Sequence, residues 1–398
     1  KLCDEADANA GTCSSESQIG ETIVSVGLGG DPYTVTGGKV YITGPYKGAP
    51  FGLSIVNPAK AGPFDLGKVI VRAKIDVNPE TAALTITTDT EGPYKIPTII
   101  DGIPLEIRHV NVNINRPGFT FNATNCSPLA VTGSLTSSEG SSSSLSVPYQ
   151  VTNCAVLAFK PKLTASTQGK TSRANGASLT VKLGYPAGPY DANIARVKVE
   201  LPKKLPSRLT TLQKACTAAV FEANPANCPA ASIIGHATAT TPVLPVPLTG
   251  PAIFVSHGNE SFPSLVIVLQ GYGVTVHLVG STFISKSGIT SSTFKTVPDV
   301  PVGTFELTLP EGPYSALAAN GNLCNAKLTM PTEFVGQNGA LIKTTTKIQA
   351  SGCPKAKKAA HRKKRAKGSR GKRKAGQKSK RGGKAGKGNG HGKGKRQE

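Results

Sequence analysis

The sequence has no apolar run of the roughly 18 residues that a membrane-spanning helix needs, and no signal peptide opens it. It contains no Gly-x-Ser-x-Gly elbow, no Gly-rich phosphate-binding loop and no His-Glu-x-x-His, which are local motifs of hydrolases, nucleotide-binding proteins and zinc proteases. It also has no Cys-x-x-Cys pair, and no His lies at ligand spacing from a Cys. A zinc site is therefore disfavoured, because it needs short loops that bring four ligands together.

Acidic residues are scarce in one part of the chain. The 398 residues include 46 Lys and Arg against 23 Asp and Glu, for a formal net charge of +23. Residues 355–398 hold 20 of the basic residues and one acid, which leaves a net charge of +4 on the preceding 354 residues. A nearly neutral body thus carries one polycationic segment, and the partners of the two parts have to be considered separately.

The eight cysteines form a pattern that occurs twice. Their separations are 10, 113 and 28 residues in the first copy and 12, 96 and 29 in the second. Ser17-Gln-Ile-Gly20 in the first copy matches Ser232-Ile-Ile-Gly235 in the second, which indicates an internal duplication of long period. The cysteines are Cys3, Cys13, Cys126 and Cys154 in the first copy, and Cys216, Cys228, Cys324 and Cys353 in the second.

Matched cysteine sets without metal-ligand spacing indicate a disulfide framework, and hence folding in an oxidising compartment; reduced structural cysteines are the main alternative. A duplicated domain should repeat its own pairing, which leaves three connectivities. Each disulfide contributes on the order of 2–4 kcal/mol by restricting the unfolded chain. We favour the pairs Cys3 with Cys13, Cys126 with Cys154, Cys216 with Cys228, and Cys324 with Cys353.

Apolar and polar residues alternate in many short segments. The alternation from Lys68 to Val77, followed by Asn78-Pro-Glu-Thr81 and a second run at 84–88, predicts a hairpin with one buried face and with Arg72 on the solvent side. The polar run at 137–145 predicts an exposed loop between two strands.

One helical pattern interrupts the strands. It begins near Ser207 and continues through Cys216 to Val220. Short strands, frequent turns and one short helix per copy predict an all-β protein of tandem duplicated β-sandwich-like domains, or partly open barrels.

The duplication also predicts the domain organisation. We assign residues 1–162 to a first repeat, 163–354 to a second, complete repeat and 355–398 to a polybasic tail, with a linker at 164–175. About fifty residues ahead of Cys216 have no counterpart ahead of Cys3, so we expect the first repeat to be N-terminally truncated. A missing N-terminal part would also explain the missing signal peptide.

Few residues of the body are candidates for chemistry. His257 is the best candidate for a catalytic base because it lies in a turn with Glu260. The matching turn of the first copy, at 44–48, has neither residue type, so we interpret His257 as a surface residue.

Neither His277 nor the acidic residues Asp31 and Asp65 show the pattern of a functional site. His277 alternates with apolar neighbours and is predicted to face solvent. Asp31 and Asp65 are candidates for a calcium loop, but no ladder of acidic ligands accompanies them. We expect no cofactor, no metal site and no catalytic residue.

The basic segment is the strongest functional signal. It has no apolar periodicity and no aromatic residue, so we expect a disordered coil that reaches roughly 35 Å and binds polyanions by counterion release. Without an aromatic side chain to stack on bases, it is not suited to selective single-strand recognition. The residues assigned to polyanion binding are Arg362, Lys363, Lys364, Arg365, Lys367, Arg370, Lys372, Arg373 and Lys374.

Several longer segments carry a family resemblance. Examples are Arg116-Pro-Gly-Phe-Thr-Phe-Asn-Ala-Thr-Asn-Cys126, Leu205-Pro-Ser-Arg-Leu-Thr-Thr-Leu-Gln-Lys-Ala-Cys216 and Pro310-Glu-Gly-Pro-Tyr-Ser-Ala-Leu317. The body resembles uncharacterised large secreted all-β repeat proteins of high-GC Gram-positive soil bacteria. The resemblance implies an extracellular repeat protein and supplies no activity or catalytic residues.

The sequence therefore predicts a secreted, non-enzymatic protein of the cell surface or matrix. Anionic cell-wall polymers, lipid head groups or other polyanions are the partners expected for the tail. Two alternatives stay open. One is a secreted hydrolase or carbohydrate-binding module, and the other is an intracellular nucleic-acid-binding protein that acts through the tail.

Overall fold

The alternating segments form β-strands, as their β-branched and aromatic residues favour. The structure is a computed structural model that describes residues 1–27, 30–186, 188 and 190–354. These residues contain three short α-helices: α1 (Glu5–Ala10), α2 (Leu209–Leu212) and α3 (Ala218–Ala223). The ten strands of the first repeat are β1 (Gln18–Val26), β2 (Tyr33–Thr43), β3 (Phe51–Ala61), β4 (Phe64–Val77), β5 (Leu84–Thr88), β6 (Ile99–Ile100), β7 (Ile103–Pro104), β8 (Ile107–Asn113), β9 (Leu129–Thr136) and β10 (Ser142–Tyr149).

Twelve more strands lie between residues 162 and 351. They are β11 (Lys162–Gln168), β12 (Leu179–Gly184), β13 (Ile194–Glu200), β14 (Cys216–Thr217), β15 (Ile233–Thr240), β16 (Leu248–Ser256), β17 (Ser264–Gly271), β18 (Val274–Ile284), β19 (Thr290–Phe294), β20 (Thr304–Leu309), β21 (Thr329–Gly336) and β22 (Leu341–Ser351).

The main sheet of the first repeat is an antiparallel meander with one added edge. Strands β1 to β5 pair in sequence and β8 pairs with β1, which gives the order β5-β4-β3-β2-β1-β8. Strands β9 and β10 pair only with each other among the described strands. The apolar face of the sheet buries a small cluster centred on Val40, Leu53 and Ala73.

The second repeat contains the same arrangement inside a larger sheet. Strands β19, β18, β17, β16, β15 and β20 follow one another in the order of their counterparts β5, β4, β3, β2, β1 and β8. Strands β11, β12 and β13 have no counterpart in the first repeat, and they complete the sheet. Strand β12 pairs with β20, and β11 lies between β12 and β22. Strand β13 lies between β21 and β19. Since β17 pairs with both β16 and β18, the strands close on themselves around the largest apolar cluster.

Two glycines show the duplication at atomic detail. A Cβ on Gly20 would lie 2.3 Å from the Asn113 carbonyl oxygen, and a Cβ on Gly235 would lie 2.3 Å from the Thr308 carbonyl oxygen. In both repeats a neighbouring strand approaches the backbone too closely for any side chain. Glycine at these two positions is therefore a requirement of the shared fold.

The predicted all-β fold class is confirmed, with three local differences. The helical pattern at 207–220 is split, because α2 ends at Leu212 and Cys216 enters β14, which pairs in parallel with β16. The linker predicted at 164–175 was wrong at its start, since β11 continues to Gln168. The loop predicted at 137–145 is shorter, because β10 begins at Ser142.

Residues Lys1–Cys353 form one compact unit, so the two repeats pack together. The boundary between them at residues 162 and 163 stays a prediction. No helix in the part of the chain that the structure describes is long and apolar enough to cross a membrane.

Candidate functional site

All eight cysteines form disulfides, and the pairing is the one that the repeated spacing favours. The pairs are Cys3–Cys13, Cys126–Cys154, Cys216–Cys228 and Cys324–Cys353. Each short pair brackets a helix, α1 or α3, and each long pair joins the two ends of a hairpin, β9–β10 or β21–β22. These bonds are typical of a protein that folds in an oxidising compartment.

Gly169 makes room for the disulfide at the end of the second repeat. A Cβ at this position would lie 2.4 Å from the Cys324 sulfur and 2.6 Å from the Cys353 sulfur. The Gly169 N–H donates to the Ser351 carbonyl at 2.7 Å. The backbone after β11 therefore lies directly against this disulfide, where no larger residue fits.

The group around His257 does not have the geometry of a hydrolytic triad. Nδ1 of His257 lies 3.4 Å from Oε1 of Glu260, and the Ser264 hydroxyl donates to the other oxygen of the same carboxylate at 3.3 Å. The carboxylate thus stands between the serine and the histidine, whereas a triad requires the histidine between them. The side chain of His257 is also exposed.

His277 was predicted to face solvent, and the structure corrects this. The centroid of its ring lies 5.5 Å from the centroid of the Phe221 ring, and its backbone N–H donates to the Pro79 carbonyl at 2.7 Å. Burial lowers the pKa of His277, and the nearby Glu80 carboxylate partly opposes that shift. The solvent-side assignment failed because the Phe221 ring of α3 and the turn at Pro79 both contact His277.

Arg72 is a second correction, because the alternation placed it on the solvent side of β4. It is 1% exposed. Its Nε donates to the Leu53 carbonyl at 3.0 Å, its other nitrogens donate to Asn9 and Thr43, and its guanidinium lies 4.1 Å from the centroid of the Tyr46 ring.

The cluster around Arg72 also includes the buried carboxylate of Asp89. The Tyr46 hydroxyl donates to the Asp89 carboxylate at 2.6 Å, and Lys47 Nζ lies 2.8 Å from its other oxygen. Burial and the bond to Asp89 raise the pKa of Tyr46 to about 12. The cluster ties α1 to β2, β3 and β4, so we assign it a structural role.

No group of three or more His, Cys, Asp or Glu in the described residues is arranged to hold a metal ion. Asp65, a candidate for a calcium loop, pairs with Lys60 Nζ at 2.8 Å and accepts from the Gly67 N–H at 3.0 Å. The hydrogen bond from Lys60 lowers the pKa of Asp65. Both oxygens therefore serve the turn between β3 and β4.

A shallow concave region lies at the edge of the first sheet. A shallow groove of about 390 Å³ runs across β1, β2 and β8, lined by Glu21, Ile23, Thr36, Asn111 and Asn113. A second depression lies along β1 and β8 and is lined by Ser25 and His109, among others. The position of β8 at the end of this sheet depends on pairing between distant segments, which local sequence patterns do not indicate.

The nine basic residues assigned to polyanion binding, Arg362 to Lys374, lie outside the described residues. Their role stays a prediction.

No known family model matches the chain, and no curated protein matches it. Solved structures give only weak likenesses. The major pilin subunit BcpA of Bacillus cereus is 10% identical with a TM-score of 0.23, and the alignment covers 85% of this chain and 66% of the pilin. The C-terminal domain of the Streptococcus pyogenes antigen I/II-family protein AspA is 8% identical with a TM-score of 0.18, over 83% of this chain and 100% of that domain. TM-scores this low do not indicate a shared fold, and the all-β assignment rests on the strand pairings described above.

Proposed function

We propose that the protein is a secreted, non-enzymatic component of the cell surface or extracellular matrix, held to anionic envelope polymers by residues 355–398. The repeats form the body, and the basic segment provides attachment. The concentration of 20 basic residues in these 44 positions, against a net charge of +4 elsewhere, is the observation that carries the proposal.

The disulfides support the extracellular part of the proposal. Cytosolic thiols are kept reduced, and four disulfides in one body are characteristic of secreted proteins. They also stabilise the body by restricting the unfolded chain, which suits a protein that works where chaperones are absent.

The charge distribution supports the attachment part. A segment of this composition binds polyanions by releasing their counterions, so its affinity depends on charge and salt and not on a shaped pocket. The body adds little to such binding, because its charges nearly cancel and pair locally, as Arg196 does with Glu333 and Lys182 with Glu306.

Retention on wall teichoic acid, an anionic phosphate polymer, tests the proposal. We expect the full chain to be retained by immobilised polymer and released by salt, and a version cut after Cys353 to pass through. A variant with Gln at the nine assigned positions should show about half the slope of log affinity against log salt, because the slope follows the number of cations engaged. Full retention of the cut version would overturn the proposal, as would binding to double-stranded DNA without binding to the wall polymer.

The hydrolase alternative is tested on the same material. We expect no release of soluble sugar from cell-wall polysaccharide by the full chain or by the His257→Ala variant. Release by the wild type that the substitution abolishes would contradict the non-enzymatic assignment.

A further inference from the structure

The first repeat leaves four strand edges unpaired within the described residues. Strands β8 and β5 end its sheet on opposite sides, and the hairpin of β9 and β10 pairs with no other strand. An exposed strand edge presents backbone N–H and C=O groups that are free to pair with another strand. The second repeat shows what pairs with the corresponding edges.

In the second repeat, three strands bridge all four of these edges. Strand β12 pairs with β20, the counterpart of β8, and β11 continues from β12 to β22, the counterpart of β10. Strand β13 joins β21, the counterpart of β9, to β19, the counterpart of β5. Each edge that is open in the first repeat is therefore filled by β11, β12 or β13 in the second.

Side-chain exposure follows the same division. Val112 and Ile114 of the first repeat are 48% and 36% exposed, and their counterparts Leu307 and Leu309 are 8% and 6% exposed. The registers define this correspondence, because Thr22 pairs with Val112 as Ala237 pairs with Leu307. In the second repeat, Val181 and Leu179 of β12 lie opposite Leu307 and Leu309.

The hairpin of the first repeat is exposed in the same way. One of its faces carries five apolar residues that are each at least 48% exposed: Val131, Leu135, Leu145, Val147 and Tyr149. The corresponding hairpin of the second repeat buries Met330, Phe334 and Ile348 inside the closed sheet. Exposed apolar residues that cluster on one face of paired strands are a feature of protein interaction sites.

We propose that the first repeat is completed by a three-stranded segment patterned like residues 162–200, joined to the chain on the N-terminal side of Cys3 as β13 is joined to Cys216. One strand pairs with β8, a second links it to β10, and the third lies between β9 and β5. The occupant is not a second copy of this chain, because the described part of each copy has one such set of strands and uses it in its own second repeat. This inference does not depend on the function proposed for the tail.

A fusion to the full chain tests the inference. A copy of residues 156–213 is placed directly ahead of Lys1, since Lys1-Leu-Cys3 matches Lys214-Ala-Cys216. We expect amide exchange in β8, β9, β10 and β5 to slow by about tenfold or more, because an edge amide opens at little cost and an amide inside a sheet opens only in a larger unfolding event. Binding of a fluorescent apolar dye should fall at the same time, and exchange in β20 should not change.

The matched control carries Val181→Pro in the added copy only. Proline cannot donate to the strand ladder, so this fusion should leave β8 as exposed as in the chain without a fusion. Slowed exchange that persists in this control would overturn the proposal.

A second variant keeps the test decisive if the control fusion misfolds. Val112→Lys in the chain without a fusion should leave the unfolding midpoint unchanged, because the side chain is exposed, and in the fusion it should abolish the slowed exchange in β8. Unchanged exchange in β8 on adding the segment would overturn the proposal. So would a concentration-dependent dimer of the unfused chain in which β8 is already protected, since the occupant would then be a second copy.

Discussion

His277 lies where the two repeats meet, between the ring of Phe221 and the turn that contains Glu80. Its burial removes water that would otherwise stabilise the charged imidazolium. The lowered pKa therefore links protonation of His277 to the stability of the folded state.

We predict that the free energy of unfolding falls as the pH falls below about 6.5, the ordinary pKa of histidine. Below that pH the unfolded chain binds a proton that the folded chain excludes, so the loss continues until the pH reaches the lowered pKa of the folded state. Urea unfolding of His277→Gln between pH 5 and pH 8 should show a smaller loss than the wild type.

Glu80→Gln provides the opposing variant. The Glu80 carboxylate raises the pKa of His277, so its removal should enlarge the loss of stability at acid pH. An identical pH dependence in the wild type and both variants would contradict the prediction.

Arg72 shows what residue patterns leave out. The alternation in β4 correctly predicted the strand and its inward residues, but a period of two describes only one strand and cannot show what covers its outer face. Helix α1 brings Asn9 to that face, and the turn after β2 brings Tyr46. Both are distant in sequence, so no local pattern indicated that the charge would be buried.

At the scale of elements, the two long disulfides close similar loops in different surroundings. Cys126–Cys154 closes a hairpin that pairs with no other described strand, and Cys324–Cys353 closes one that belongs to the closed sheet. Loop-closure entropy alone predicts a contribution of about 3–4 kcal/mol for each bond.

We expect removal of these two disulfides to have different effects on stability. Cys126→Ala with Cys154→Ala should release the hairpin locally, so proteolysis between residues 127 and 150 increases while the global midpoint stays the same. Cys324→Ala with Cys353→Ala should lower the global free energy of unfolding by about 3–4 kcal/mol. Chemical denaturation with peptide mapping of the digests distinguishes the two variants, and equal shifts of the midpoint would contradict the expectation.

Secondary-structure elements were predicted correctly where the pattern of a single segment determined them. The hairpin of β4 and β5 lies where the alternation and the Asn78 turn placed it, because these signals are local. The continuous helix at 207–220 was wrong because Cys216 pairs with β16 and is bonded to Cys228, contacts that helical periodicity does not contain. The polar stretch after Lys162 forms a strand because both of its neighbours, β12 and β22, supply hydrogen bonds.

At the scale of the whole molecule, one carboxylate collects several hydrogen bonds at the junction of the two repeats. Asp299 accepts from the Thr124 N–H at 2.7 Å, from the Thr124 hydroxyl at 2.6 Å and from the Asn193 amide at 2.8 Å. Asn125 donates to it as well, from its backbone and its side chain. Thr124 and Asn125 belong to the first repeat, whereas Asp299 and Asn193 belong to the second.

We predict that Asp299→Asn weakens this junction by about 2–3 kcal/mol, because the new amide group faces N–H donors and leaves them without an acceptor. We expect calorimetry to show overlapping unfolding transitions for the two repeats of the wild type and separate transitions for the variant. Asp65→Asn, at an exposed turn within one hairpin, is the control and should leave the trace unchanged. An unaltered trace for Asp299→Asn would show that the junction depends on other contacts.

The duplication and the cysteine pairing could be predicted at this scale because the cysteine separations repeat along the sequence. The open strand edges of the first repeat could not be predicted in this way. They exist because β11, β12 and β13 pair within the second repeat, and this pairing joins segments that are distant in sequence. The role of the basic segment was predicted from charge alone.

The parallel pairing of β11 with β22 has a mechanical consequence. These strands begin and end the second repeat, and they run side by side from Ala165 with Ile348 to Gln168 with Ser351. A tension applied between the two ends of the repeat pulls these strands along their length in opposite directions. Their hydrogen bonds are then loaded together in shear and not one after another as in unzipping, so we expect this repeat to resist force applied along the chain.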